Sequence, residues 1–228
     1  MVTVSAVRRR HPPLGRALGF LLLNLPLGIV SFTLVTVLLS AGAGTLVVWL
    51  GVPLLGLLVL LARGAGRMER ARVFSLLDTY VDSPYLPLPP TGQRARWSTR
   101  LKDGATWRDL SYFFLLFPVG LVEFVLVVTF WATSLGLVAL PIYYRFLPEG
   151  AWYFPGYDVR WLTVDSTVSA LPWAALGVLF TALSVALTRG LAALHGELAV
   201  ALLRPTVSQR RRMERSWQEL DETSTVTG

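Results

Sequence analysis

The sequence predicts an all-α membrane protein. Four transmembrane helices form two parallel-repeat helical hairpins, with cytoplasmic amphipathic helices after the second and fourth spans. Three observations carry this reading. The chain of 228 residues is 54% hydrophobic and only 15% charged, whereas roughly a quarter of the residues of a soluble domain are charged. Four apolar stretches, residues 18–40, 45–62, 112–140 and 168–188, meet or approach the roughly 20 residues that a bilayer core about 30 Å thick requires; the third is interrupted only by Glu123. The chain also repeats itself. A shift of 92 places Leu18, Pro26, Gly28, Val30 and Phe32 on Leu110, Pro118, Gly120, Val122 and Phe124.

The elements follow in order. Residues 1–15 are a basic N-terminal segment carrying Arg8, Arg9 and Arg10. The first span resembles a secretory signal in that "AGA" at 41–43 mimics a cleavage site. Its apolar core exceeds the roughly 7–15 residues of a signal, and its match to an internal segment assigns it to the fold. The unit of four spans covers residues 16–205, with halves 16–90 and 108–205. After the second span, Met68, Val73, Leu76, Leu77 and Tyr80 fall on one helical face, and Leu191, Leu194, Leu198 and Leu202 repeat the pattern after the fourth. Two readings stand for these stretches. They lie in the inner interface with Arg63, Arg67, Arg70 and Arg189 on lipid headgroups, or they extend the spans as a cytoplasmic bundle. The linker 83–107 opens with "SPYLPLPP", whose prolines favour an extended chain. It ends in a basic stretch where Trp107 is placed as an interfacial anchor. The second half carries about 34 extra residues, mostly in an extracellular aromatic loop at 141–167. A polar tail, 206–228, ends the chain.

Charge sets the orientation. Basic residues precede the first span, crowd the segment between the second and third, and follow the fourth; the "AGAG" turn at 41–44 has none. Basic loops stay inside, so both termini and the linker are expected at the cytoplasmic side of the inner membrane. The net charge of +7 then reflects topology and anionic lipid, and no direct nucleic-acid binding is expected. The absence of cysteine excludes disulfides, thiolate metal sites and cysteine nucleophiles.

Several residues stand out. Pro26 and Pro118 remove backbone donors and can kink a helix; Gly28 and Gly120 permit close helix approach. Glu123 is the one acid inside a span, and such a group is a functional candidate by default. The repeat places it on Ser31, and four readings stand: a protonated acid, a hydrogen bond to Ser31, a site for a cationic ligand, or an acid satisfied near the inner surface or within a polar bundle interior. In the aromatic loop Trp152, Tyr153, Tyr157 and Trp161 are candidate ligand contacts; a membrane belt or cap accounts for the same residues. His195, beside Glu197, reads as solvated or headgroup-facing. No metal cluster, phosphate loop or nucleophile elbow is present, so no catalytic residue, metal or cofactor is assigned and the protein is not expected to be an enzyme.

The segments "LPLGIVSFTLV", "ARGAGRMERA", "DGATWRDLSYFFLLFPVGLVEFVLVV" and "TRGLAALHGELAVALLRP" resemble the sensor domain family of actinobacteria. That four-span domain occurs at the N-terminus of membrane sensor histidine kinases and as a free-standing protein. The resemblance covers residues 16–205. It implies a domain that senses or relays a signal at the membrane. The receiver expected is a cytoplasmic partner, a histidine kinase or a transcription regulator, or a second copy of the chain in a homodimer. The tail "RRRMERSWQELDE" sets Gln218 where a kinase would carry its phosphorylated histidine, so a module without its own kinase domain is expected. Two other readings stand beside it: a small oligomeric transporter or transporter accessory subunit, and a structural or lipid-organising membrane protein.

Overall fold

The computed structural model describes residues 12–85, 92–156, 158, 160–211 and 214–215. Four long helices dominate it: α1 (Leu14–Gly44), α2 (Gly51–Leu77), α4 (Gly104–Tyr143) and α5 (Thr167–Leu203), with a short α3 (Gln93–Lys102) between the halves. All four are long and apolar enough to cross a membrane. At 1.5 Å per residue they run from about 40 Å to about 60 Å, longer than a bilayer core.

Each boundary has a local cause. The α1 helix closes where the Thr45 hydroxyl bonds the Ala41 carbonyl at 2.6 Å. Trp49, at φ 63°, turns the chain into α2. The second span therefore starts at Gly51 and not at residue 45, because a 3₁₀ turn over Leu46–Val48 takes up the intervening residues. Asp78, at φ 51°, stops α2. The α4 helix starts at Gly104, eight residues before its apolar stretch, since the Asp103 side chain caps it by accepting from the Ala105 amide at 3.0 Å. A capping box of Ser166 and Ser169 starts α5. Pro26, Pro118, Pro141 and Pro172 lie inside helices.

The amphipathic stretches after the second and fourth spans are not separate helices. They are the C-terminal parts of α2 and α5, which run unbroken. The long connection follows α4. After two 3₁₀ turns it forms an antiparallel hairpin, β1 (Trp152–Pro155) with β2 (Arg160–Val164). The aromatic and β-branched residues of "WYFP" and "RWLTV" suit a pleated ribbon.

The two halves are not parallel. On α1, residues 24, 28 and 31 meet α4 at 120, 117 and 113 in turn. A Cβ on Gly120 would lie 2.8 Å from the Asn24 carbonyl, one on Gly28 would lie 2.8 Å from the Phe117 Cα, and Ser31 Oγ donates to the Phe113 carbonyl at 3.3 Å. Equivalent helices of the repeat therefore pack antiparallel. By contrast α2 and α4 run the same way, with Arg63 on Thr106 and Glu69 on Tyr112, and α5 returns along α4 through Glu123–His195 and Trp131–Thr188. The α1–α2 turn and the β-hairpin thus lie at opposite ends, with all four helices overlapping between them.

The reason is the linker. It runs back along α2, so that Tyr85 reaches the Arg63 carbonyl at 3.0 Å and the Trp97 ring covers Gly56. Consequently α4 starts beside the middle of α2, not beside its end.

Candidate functional site

The overlap of the four helices holds the polar residues. Asn24 projects from the apolar run of α1 and is fully buried; Glu69, Tyr112, Glu123 and His195 are at most 4% exposed. Arg72 joins them with its side chain 14% exposed. Their hydrogen bonds form a closed circuit. Asn24 Nδ2 donates to Glu123 Oε2 at 2.6 Å. Glu123 Oε1 lies 2.8 Å from His195 Nδ1, and His195 Nε2 lies 3.0 Å from the Tyr112 hydroxyl. Tyr112 donates to Glu69 Oε1 at 2.7 Å. Arg72 binds both oxygens of Glu69, at 2.7 and 2.8 Å, and returns to Asn24 Oδ1 at 2.7 Å. One residue or two from each long helix contributes.

Phe20 shields the ring. Its edge meets His195 with centroids 5.0 Å apart, and the Arg72 guanidinium lies 4.2 Å from its centroid. Buried charges are tolerated when paired and hydrogen-bonded. No fully buried side-chain nitrogen or oxygen among the described residues lacks a partner.

A second cluster fastens the linker and the start of α4 to α2. Arg63 pairs with Asp103 Oδ2 at 3.0 Å and donates to Thr106; Arg70 pairs with Asp109 at 3.3 Å. The Tyr85 hydroxyl donates to Asp109 and accepts from Arg70, and Arg63, Arg67 and Arg70 surround its ring. Burial, and next the Asp109 carboxylate, push the Tyr85 hydroxyl above the ordinary tyrosine range. Asp103 also accepts from Gln209 Nε2 at 3.4 Å, so one carboxylate ties α2, α4 and the segment after α5.

These positions revise the sequence reading. Glu123 does not bond Ser31. Antiparallel packing sets Asn24, not Ser31, beside it, and Ser31 bonds the Gly28 and Phe113 carbonyls. Nor is Glu123 an open acceptor for a cationic ligand, because Asn24 and His195 occupy its oxygens. A cavity of about 710 Å³ lies elsewhere, between the end of α2 and the last turns of α5, lined by Leu77, Ala192, Gly196, Val200, Arg108 and Arg204 among others. Arg63 and Arg70 do not face headgroups: they are 5% and 6% exposed, turned inward by Asp103 and Asp109. Arg67 and Arg189 are exposed. His195 is 1% exposed, not solvated.

Of the loop aromatics, Trp152 packs edge-on against Trp173 with centroids 5.1 Å apart, and the Tyr153 hydroxyl donates to Glu149 at 2.8 Å. Trp161 is 75% exposed. Tyr157 lies outside the described residues, as do Arg8, Arg9, Arg10 and Gln218. The loop residues and the ring are not brought together, since the hairpin occupies the far end of α4 and α5. Asn24, Glu69, Arg72 and Tyr112 escaped the sequence reading. The signal for Asn24 was present, a polar side chain inside an apolar run; the other three become visible only when α2 and α4 are laid side by side.

A family model described as "Putative sensor" matches residues 20–203. No curated protein and no solved structure matches the chain.

Proposed function

The chain belongs to that sensor family, and from this we propose that it is a multi-pass membrane sensor and relay that carries out no chemistry of its own. The observation that carries the proposal is the closed polar ring among α1, α2, α4 and α5. A hydrogen bond breaks within a few tenths of an ångström, and an unmade buried bond costs about 1–3 kcal/mol, more for a charged group. The ring therefore has a made and a broken state, which is what a stimulus needs if it is to bind two states unequally.

The relay leaves through the cluster at Asp103, where α2, the start of α4 and the segment after α5 meet. The receiver is a cytoplasmic partner, a kinase or a transcription regulator, docking on the linker and the basic tail. The chain is a duplicated helical hairpin whose copies pack antiparallel. Pairing neutralises Arg63, Arg70 and Arg72, so orientation rests on the remaining cations of α3 and the tail, which we place at the cytoplasmic face of the inner membrane. Arg67 and Arg189 are exposed, and each is placed to meet lipid headgroups.

Co-purification from native membranes tests this, with the full chain beside one ending at Pro205. A kinase or regulator captured with the full chain and lost on truncation supports relay through the tail. Recovery of only lipid and further copies of the chain with both overturns it and favours membrane organisation.

A further inference from the structure

We propose that the cavity between the end of α2 and the last turns of α5 binds one anionic phospholipid. Arg108 and Arg204 hold its phosphate, and an acyl chain lies along α5. The inference stands apart from the relay reading and needs neither a partner nor the tail.

The first observation is a difference among the arginines. Arg63, Arg70 and Arg72 each pair with a carboxylate. Arg108 and Arg204 have no such partner among the described residues. Arg108 donates to the Ala201 carbonyl and to Gln209 Oε1, and the Arg204 guanidinium makes no hydrogen bond or ion pair there. Both line the cavity, Arg108 half-buried and Arg204 exposed. A guanidinium carries five N–H donors in a fork that suits phosphate, so most of theirs remain for an anion. The C-terminal carbonyls of α5 would repel that anion, but Arg108 covers one of them, at Ala201.

The second observation is the floor. Ala192, Gly196 and Val200 follow at four-residue intervals on α5 and line the cavity with Leu77. That spacing sets them on one helical face. The face runs about 18 Å from Arg204 up to Ala192 and leads into the apolar part of a helix able to cross a membrane. The cavity is thus cationic at one end and apolar along its length. Its volume of about 710 Å³ suits a bound ligand, and basic pockets between membrane helices hold anionic lipid headgroups. Asp78 and Glu197 also line it, both exposed. Glu197 lies about two turns of α5 from Arg204, and Asp78 adjoins Leu77 and Thr79, which flank Gly196. These carboxylates bar a phosphate from the upper end and leave it the arginines. A soluble anion would leave the apolar floor wet, whereas an acyl chain covers it.

Native mass spectrometry of the full chain tests this, with dioleoyl phosphatidylglycerol titrated beside dioleoyl phosphatidylcholine. One glycerol lipid is expected to stay bound at concentrations where the choline lipid does not. Arg204→Gln should weaken it about fivefold, the effect of one arginine at a lipid surface. Gly196→Leu keeps every charge but fills the floor, since a Cβ there already lies 3.6 Å from Leu77; it should weaken binding at least as much. Arg145→Gln, exposed and outside the cavity, should change nothing. One variant alters charge and the other volume, so if either fails to fold the other decides. Equal retention of the two lipids, undiminished binding in a folded Arg204→Gln or Gly196→Leu, an equal loss in Arg145→Gln, or displacement of the lipid by free glycerol phosphate each overturns the proposal. The relay is decided separately, by the co-purification.

Discussion

At the scale of single residues, Asp103 bears the most. It caps α4, neutralises Arg63 and holds Gln209. Loss of a cap costs about 1 kcal/mol, and a buried charge left without its partner costs about 3–5 kcal/mol. Asp103→Ala should therefore lower the thermal midpoint of the detergent-purified protein by many degrees. An exposed acid such as Asp158 changed to Ala should leave it within error. Tyr85 gives a prediction of opposite pH sign to a salt-bridged carboxylate. Its hydroxyl is harder to ionise in the folded chain, so the folded state holds that proton more tightly. Stability from this group is complete below the ordinary tyrosine value of about 10 and is lost as pH rises beyond it. Thermal unfolding above about pH 10 should steepen in the wild type and less so in Tyr85→Phe.

At the scale of elements, the α1–α4 contact is a backbone contact. Gly28 faces Phe117 and Gly120 faces Asn24 with no room for a Cβ. Small residues let membrane helices approach in this way. Gly28→Leu and Gly120→Leu should each separate the helices and cost about 1–3 kcal/mol or more, as overpacking does. Gly19→Ala, on the same helix but with nothing within 4 Å of its added Cβ, should be neutral or gain about 0.5–1 kcal/mol from helix propensity. Unfolding midpoints of the three variants side by side would check it. The amphipathic stretches belong to this scale as well. Their apolar stripes were legible from spacing, but spacing could not distinguish a helix lying on a membrane from the continuation of a span. The neighbours decided it: Leu77 and Leu203 are buried in the common core.

At the scale of the whole molecule, the direction of the repeat is the testable statement. The Phe32 ring lies 4.9 Å from Phe114, whereas a parallel repeat would set Phe32 beside its equivalent, Phe124. Since the chain lacks cysteine, Phe32→Cys with Phe114→Cys should form a disulfide in native membranes under mild oxidation. Phe32→Cys with Phe124→Cys should not. A reversed outcome would restore the parallel arrangement and dissolve the polar ring with it.

The four apolar helices, the repeated sequence pattern and the family were legible in the sequence, whereas the caps at Asp103 and Ser166 were not singled out there. Hydropathy and duplication are periodic properties, and a single chain displays them without folding. The direction in which the halves pack was not. A glycine notch accepts a neighbouring helix from either direction, and counting basic residues treated Arg63 and Arg70 as loop charges. Only the folded chain, with its linker doubled back along α2, brings Asp103 and Asp109 to those arginines. The same fold brings Asn24, Glu123 and His195 together from positions 99 and 72 residues apart. Such pairings are set by which helix faces meet, and that is a property of the tertiary structure alone.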